Sequence, residues 1–359
     1  MTWVYDPSPL RQATFAKESD KGHRAVAIWL WSLAALVFLM VVVGGATRLT
    51  ESGLSITQWK PLTGVIPPLS AADWQAEFEN YKQIPQYAEV FPNMDLAGFK
   101  FIFFWEWSHR LLGRLIGLAT ALPLIFFWIK GMLPTGLKPK LLGILALGAL
   151  QGFVGWWMVK SGLSGRVEVA QERLTIHLLL ASVTFAALVW LAASLRQREV
   201  KVALPARLLP LACAFIILVL VQIGLGALVA GLRAGRAYNT WPLIDGQFIP
   251  PLDQLSLFQP LWRNFVDNIL TVQFQHRMVA YALLIFALGQ ALYISIKVGP
   301  SAAARRATAV TGLVAAQAFI GVATLVLVVP LWAGLLHQAF AMIVLAMAVV
   351  HAQALSKGR

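Results

Sequence analysis

Four of the six histidines recur at regular places along the chain, and these are His109, His177, His276 and His337. Each lies near one end of a long apolar segment, and apolar segments with such a histidine alternate with segments that lack one. An imidazole can bind haem iron or another transition metal, and ionisable side chains inside a membrane span are usually functional. A single histidine is equally well explained by a hydrogen bond at the interface, but four on alternate segments indicate ligands.

The residues that accompany the histidines restrict the kind of metal centre. A di-iron carboxylate bundle needs Glu-x-x-His on two helices, and here only Glu106-x-x-His109 has that form. The single cysteine, Cys213, excludes an intrachain disulfide and a thiolate-held cluster. A zinc or copper site stays open, although cysteines and clustered carboxylates are missing. We therefore expect two bis-histidine haem sites, one formed by His109 with His177 and the other by His276 with His337.

Helices that cross a membrane must position these ligands. The chain of 359 residues is 58% hydrophobic and 13% charged, against about 25% charged in a typical soluble protein. This composition excludes an ordinary water-soluble enzyme. Runs of about 20 apolar residues mark transmembrane helices, and we predict eight of them, at 26–45, 101–129, 139–160, 174–195, 207–231, 274–297, 306–329 and 332–355.

The net charge of +13 is explained by topology and not by a nucleic-acid partner. An even number of spans places both termini on one side. The short segments on that side carry sixteen basic residues, namely Arg11, Lys17, Lys21, Arg24, Lys130, Lys138, Lys140, Arg196, Arg198, Lys201, Arg207, Lys297, Arg305, Arg306, Lys357 and Arg359. Because basic residues are concentrated in cytoplasmic loops, we expect a multi-pass protein of a bacterial plasma (inner) membrane. Both termini are then cytoplasmic, and the histidines lie toward the outer face.

The two halves of the chain repeat each other. Glu106-Trp-Ser-His109-Arg110 in span two corresponds to Gln273-Phe-Gln-His276-Arg277 in span six, and Gln151-Gly-Phe153-Val-Gly155 in span three to Gln317-Ala-Phe319-Ile-Gly321 in span seven. We therefore predict an all-α polytopic membrane protein built from two tandem four-helix bundles, related by a pseudo-twofold axis along the membrane normal. The predicted parts are a cytoplasmic segment 1–25, an N-terminal bundle 26–195, a cytoplasmic linker 196–206, a C-terminal bundle 207–355 and a tail 356–359.

Two long outer segments, 46–98 and 232–272, are predicted to be irregular caps over the histidines. Within the first, the stretch from Ala71 to Tyr81 is amphipathic and predicts a short surface helix. Small residues at helical spacing favour close helix packing, and five glycines of spans two and three are interpreted in this way, with clearance for a cofactor as the alternative: Gly113, Gly117, Gly148, Gly152 and Gly155.

Three arginines lie near the histidines and could bind the carboxylate groups of a haem. Arg110 and Arg277 directly follow His109 and His276, and Arg173 precedes His177 by about one turn. Anchoring at the membrane interface is the alternative role for all three. His23 and His351 are too distant along the chain to share a site, and we interpret both as structural.

One difference between the halves suggests divided roles. Glu106 lies one turn before His109 on the same helix face, and its counterpart is Gln273. A carboxylate can transfer protons or stabilise a developing cation, whereas an amide does not ionise. We expect the N-terminal pair to hold a haem that is chemically changed and the C-terminal pair to hold a permanent haem. The simpler alternative is that Glu106 only forms an ion pair with Arg110.

These motifs, together with Gly44-Gly-Ala-Thr-Arg48-Leu-Thr-Glu-Ser-Gly53, resemble the haem A synthase family of cytochrome oxidase assembly over essentially the whole chain. The resemblance implies oxidation of the C8 methyl of haem O to a formyl group by successive hydroxylations. It implies haem B as a bound cofactor at His276 and His337, and it assigns Glu106, His109 and His177 to the reacting half. It also implies haem O as substrate, with the haem O synthase and an electron donor as partners. Some members carry cysteine pairs in the outer loops, and this chain has none. Association between copies of the chain stays open.

Two other functions were weighed. A di-haem electron carrier of the cytochrome b type would place haems at two depths to cross the bilayer, whereas all four histidines are predicted at one outer depth. A transporter built on parallel repeats would need broken helices and polar groups near the bilayer midplane, and several spans have almost none.

Overall fold

Eight long helices form the body of the protein. The structure, a computed structural model, describes residues 9–61, 63–195 and 204–357, with side chains from Gly22 onward. The long helices are α1 (Pro9–Leu49), α2 (Leu96–Ile129), α3 (Leu137–Gly162), α4 (Gln171–Ser194), α5 (Leu208–Gly231), α6 (Ile269–Val298), α7 (Ala302–Val326) and α8 (Leu331–Ser356).

The prediction of eight apolar spans is confirmed. Within the described residues, eight helices are long and apolar enough to cross a membrane, and the first of these stretches is Gly22–Leu49 of α1. Several helices begin earlier than the apolar runs because polar caps lie outside those runs. The Asp95 side chain accepts from the Gly98 N–H at 2.8 Å to start α2, and the Asn268 side chain accepts from the N–H groups of Leu270 and Thr271 to start α6.

The helix contacts have the symmetry that a duplication predicts. In the first half, α1 packs on α2 and α4, and α3 completes the ring by contacting α2 and α4; α5 to α8 repeat this arrangement. The halves meet through α4 with α5, α8 with α1, and α4 with α8. This pattern is unchanged when the halves are exchanged, so it supports two tandem bundles. The two halves differ in one respect, because α2 and α3 contact each other less extensively than α6 and α7 do.

The domain boundaries stay predictions, and parts of them lie outside the described residues. These parts are residues 1–8 of the N-terminal segment, 196–203 of the linker and 358–359 of the tail. Within the described chain, α1 extends from Pro9 into the first predicted span without a break.

Four charged side chains join the outer ends of the two halves. Arg48, in the last turn of α1, donates to Glu168 at 2.5 Å and to the carbonyl oxygens of Ala230 and Gly231 at the end of α5. Arg233, just beyond α5, pairs with Glu168 and also with Glu51, at 2.9 Å for the latter. Arg48 itself therefore joins the bundles rather than lining a histidine pair.

Replacing Glu168 by glutamine is expected to lower the free energy of unfolding by up to about 1 kcal/mol, because partly exposed ion pairs contribute about that much. Thermal unfolding in detergent measures the change, and the difference from the parent should shrink as salt is added. Glu79→Gln is the matched control, because its pair with Lys82 lies within the first outer loop. A difference that does not depend on salt would contradict an electrostatic junction.

The first outer loop has its own hydrophobic core. The predicted surface helix is confirmed as Ala71–Lys82, and a second short helix, Pro85–Val90, follows it. Aromatic and aliphatic side chains from these helices, including Phe78 and Tyr81, pack on Phe99 at the outer end of α2. The part of the loop that precedes these helices lies along α2, where Arg114 donates to the carbonyl oxygens of Lys60 and Pro61 at 2.8 and 2.9 Å.

The second outer loop is held mainly by polar contacts with α6. Its short helical turns are Ala234–Ala237, Leu252–Leu255 and Asn264–Asp267, with a 3-10 turn at Leu261–Arg263. The buried side chain of Asn268 donates to the Gln254 carbonyl at 2.9 Å and so ties the loop to the start of α6.

The interpretation of the five glycines as close-packing residues is wrong for most of them. A Cβ added at Gly117, Gly148 or Gly152 would meet nothing within 4 Å, and one at Gly113 would meet only the Met40 methyl group, at 3.4 Å. Gly155 differs, because its added Cβ would lie 2.9 Å from the His177 ring. Close packing against a neighbouring helix, here α4, therefore holds for Gly155.

Candidate functional site

The first histidine pair lies across the interior of the N-terminal bundle. His109 on α2 and His177 on α4 come from helices that do not adjoin in the ring, and their ring centres are 6.5 Å apart with planes inclined at 68°. Two imidazoles bound to opposite sides of one metal ion have centres roughly 6 Å apart, because each metal–nitrogen bond is about 2 Å long. The spacing therefore suits two axial ligands of one iron.

The second pair repeats this arrangement in the C-terminal bundle. His276 on α6 and His337 on α8 occupy the corresponding helices, and each ring lies against a glycine of the preceding helix, as in the first half. The predicted pairing of histidines is thus the pairing that the fold brings together.

A glycine on a neighbouring helix faces each of the four rings. A Cβ added at Gly44 would lie 3.1 Å from His109, at Gly155 2.9 Å from His177, at Gly226 3.2 Å from His276 and at Gly321 2.7 Å from His337. These distances are shorter than ordinary van der Waals contacts. Any larger residue at these positions would displace an imidazole, so the glycines keep the rings in place by having no side chain.

Three of the histidines are also held by a glutamine, a role that the sequence did not reveal. The side-chain amide donates to the histidine's own carbonyl oxygen, at 3.0 Å from Gln151 to His177, 3.0 Å from Gln222 to His276 and 2.9 Å from Gln317 to His337. Each amide nitrogen also lies 3.1 to 3.4 Å from a ring nitrogen of the same histidine. The available signal was Gln-x-x-x-Gly, which occurs at these places in α3, α5 and α7.

The buried polar atoms around the rings fit a haem ligand set. The Oε1 atoms of Gln151, Gln222 and Gln317 are buried without a hydrogen-bond partner, and so is Nδ1 of His177. An imidazole that binds iron through Nε2 carries a proton on Nδ1, and such an N–H needs an acceptor. The glutamine atom nearest each ring is the amide nitrogen, a donor, so Oε1 supplies this acceptor only when the amide is turned by 180°, which gives up its bond to the histidine carbonyl. The described residues contain no group of three or more His, Cys, Asp or Glu side chains arranged for a metal ion.

Glu106 is buried and fully bonded. Its Oε2 accepts from the Ser55 hydroxyl and from the Ile56 N–H, both at 2.8 Å, and its Oε1 accepts from Arg110 at 2.6 and 3.1 Å. The ion pair with Arg110, the simpler alternative for Glu106, is therefore formed. The same contacts hold the first outer loop against α2 beside His109.

Gln273 holds the second outer loop through hydrogen bonds of the opposite direction. Its amide donates to the carbonyl oxygens of Ala234 and Tyr238, at 3.1 and 2.5 Å, and its oxygen accepts from Arg277 at 3.1 Å. Both side chains accept from the arginine that follows the histidine, but Glu106 accepts from its loop whereas Gln273 donates to its loop, so the two positions differ in charge and in the direction of these bonds.

The three arginines make contacts within the protein. Arg110 donates to the Ile56 carbonyl at 2.9 Å, and Arg277 donates to the Thr240 carbonyl at 2.7 Å. Arg173 donates to the Trp157 carbonyl at 2.8 Å and lies over the Trp157 ring. Arg110 and Arg277 therefore both anchor outer loops. The buried Nε of Arg277 has no hydrogen-bond partner among the described residues.

The remaining histidines lie away from both pairs. His351 is buried near the end of α8, and His23 lies near the opposite end of α1 from Gly44, which faces His109. Neither contributes to the arrangement of paired rings.

Comparisons with known proteins show the family to which the chain belongs. The sequence model of the family described as "Cytochrome oxidase assembly protein" (COX15-CtaA) matches residues 27–349. A heme A synthase of Beijerinckia indica subsp. indica is 71% identical over 344 residues, which cover 95% of this chain and 96% of the relative. Heme A synthases of Rhodopseudomonas palustris (55% identity, 92% of this chain, 91% of the relative) and Azorhizobium caulinodans (55% identity, 94% and 96%) are also similar.

Proposed function

Since the chain belongs to the COX15-CtaA family of cytochrome oxidase assembly proteins, we propose that it is a heme A synthase, a membrane oxidoreductase that converts haem O to haem A. The C8 methyl group of haem O is hydroxylated twice, and loss of water from the resulting diol leaves the formyl group. The proposal rests on one observation: the chain contains two histidine pairs in which a glycine lies against every ring, and it is 71% identical to a heme A synthase.

The N-terminal bundle is proposed to bind the substrate through His109 and His177. Two features support this choice over the C-terminal bundle. Glu106 places an ionisable carboxylate beside this pair where the other half has Gln273. In addition, α2 and α3 contact each other less extensively than α6 and α7 do, which leaves a more open seam between them. A substrate with a long hydrocarbon tail needs such an opening toward the lipid.

Glu106 is proposed to act at the reacting methyl group through its carboxylate oxygens, by accepting a proton or by stabilising positive charge. Arg110 and the Ile56 N–H fix the orientation of that carboxylate. The same bonds keep the first outer loop closed over α2, which limits the access of water to this half.

The C-terminal bundle is proposed to hold haem B through His276 and His337, with Gly226 and Gly321 giving the rings room. A haem bound there supplies one-electron transfer. Electrons are then exchanged with a donor outside the chain, and the haem O synthase supplies the substrate. Both termini are proposed to be cytoplasmic, with both histidine pairs toward the outer face.

Identification of the bound pigments tests this function. The full chain is purified in detergent, and its pigments are extracted and separated by chromatography. We expect haem B together with haem O or haem A. Two equivalents of haem B alone would favour a di-haem electron carrier and overturn the proposal. A protein purified without any pigment would contradict the assignment of both haem sites. His276→Ala is a control that should lose haem B while haem O or haem A is retained.

A further inference from the structure

The four histidines are not held equally, and the exception is His109. On α3, α5 and α7 a glutamine precedes the ring-facing glycine by four residues, whereas on α1 the residue four positions before Gly44 is Met40. Residues four apart share a helix face. Met40 therefore occupies the place on α1 that Gln222 occupies on α5.

The consequence for His109 is the loss of a polar restraint. Gln222 and Gln317 each contact both the main-chain carbonyl and the ring of their histidine. A thioether has no N–H to donate and is a weak acceptor. Within the described part of the chain, the ring of His109 forms no hydrogen bond, and the Met40 methyl group lies next to Gly113, one turn along α2 from His109.

We propose that Gln151, Gln222 and Gln317 are positioning residues for their histidines, and that Met40 leaves His109 free to release its haem. This inference rests on the proposed function, in which one haem is retained and the other enters and leaves in every cycle. The C-terminal pair has two restrained ligands, as a retained cofactor requires. The N-terminal pair has one restrained ligand, His177, and one unrestrained ligand, His109.

The expected size of the effect follows from the chemistry of metal-bound histidines. A hydrogen-bond partner of a ligating imidazole fixes the ring orientation, and its loss typically lowers affinity or activity about 10- to 100-fold. The retained haem should therefore dissociate much more slowly than the substrate haem. Methionine and glutamine have similar size and shape, so exchanging them changes the hydrogen bond while the packing volume is nearly conserved.

The test exchanges the two residues in both directions in the full-length holoprotein. Gln222→Met removes one restraint from the C-terminal pair, and Met40→Gln adds one to the N-terminal pair. Transfer of haem B from the C-terminal site, and of haem O from the N-terminal site, to excess apomyoglobin is followed by absorbance. The electron paramagnetic resonance spectrum of the ferric protein reports the orientation of the axial imidazoles. Gln290→Met, at a buried glutamine of α6 with an unpartnered Nε2, is the matched control.

We expect Gln222→Met to speed the loss of haem B at least about tenfold and to shift its low-spin resonance signal. Met40→Gln should slow the loss of haem O by a similar factor and lower both KM and kcat, because release becomes slower. Gln290→Met should change none of these. Unchanged haem loss and resonance signal in both Gln222→Met and Met40→Gln would overturn the proposal, whatever the stability of the variants. If haem O does not bind at all, the proposed function fails, while the haem B arm still decides the role of Gln222.

Discussion

Replacing Glu106 by glutamine is expected to lower the rate of haem O oxidation by about 10²- to 10⁴-fold, the usual contribution of a general acid or base. The reason is that only the carboxylate can accept a proton or stabilise positive charge beside the reacting methyl group. The measurement is haem A formation by the purified variant, with haem B content determined on the same sample. Haem B should stay at the parent level, since His276 and His337 lie in the other bundle.

The structure indicates that this variant will fold. In the C-terminal half an amide already occupies the corresponding position, where Gln273 accepts from Arg277 and holds the outer loop. Glutamine at position 106 can still accept from Arg110, but its amide nitrogen then faces the Ile56 N–H from which Glu106 accepts, so we also expect a loss of about 1–3 kcal/mol of stability, measured by thermal unfolding. The matched control is Glu77→Gln, which removes a carboxylate that pairs with Lys60 within the same loop and should leave the C8 oxidation largely intact. Normal turnover by Glu106→Gln with full haem content would show that Glu106 serves only to pair with Arg110.

Replacing Gly321 by alanine is expected to lower the haem B content of the C-terminal site and, with it, haem A formation. The new Cβ would lie 2.7 Å from Cε1 of His337, so the ring must move away from its present position. Overpacking of this kind costs about 1–3 kcal/mol, which corresponds to a fall in haem affinity of about 5- to 150-fold. Haem B content and thermal unfolding of the purified protein measure the effect.

The control for this change lies on the same helix. Gly312 is also in α7, and a Cβ added there would meet nothing within 4 Å. Alanine improves helix propensity at both positions by about 1 kcal/mol, so the two variants differ only in the contact with His337. We expect Gly312→Ala to retain haem B and activity. Equal haem content in both variants would show that Gly321 does not provide clearance for the ligand.

Much of the architecture could be predicted because membrane insertion depends on the local composition of the sequence. The lipid demands about 20 consecutive apolar residues for each crossing, so eight helices, their order and the positions of His109, His177, His276 and His337 follow from the chain alone. The internal repeat also predicted which histidines form pairs. The motifs around Arg48 and Glu106 also indicated the haem A synthase family, and the comparisons confirm that resemblance.

Other features could not be predicted because they depend on contacts between helices. Gln151 and Gln317 were visible as repeated residues, but their bonds to His177 and His337 require α3 to lie beside α4 and α7 beside α8. Gly117 and Gly152 have the spacing of packing residues and nonetheless border open space. Arg110 lies next to His109 in sequence, yet its guanidinium binds the outer loop.

Hydropathy and motif spacing thus determine the number of helices, the ligand types and the division of the chain into two similar halves. The tertiary structure decides which glycine faces which imidazole, which three histidines receive an amide, and that Met40 leaves His109 without one. The physical reason is that burial of apolar surface depends on residue type along one helix. A hydrogen bond or a steric clearance depends instead on the rotation and height of two helices relative to each other, which no single segment of sequence encodes.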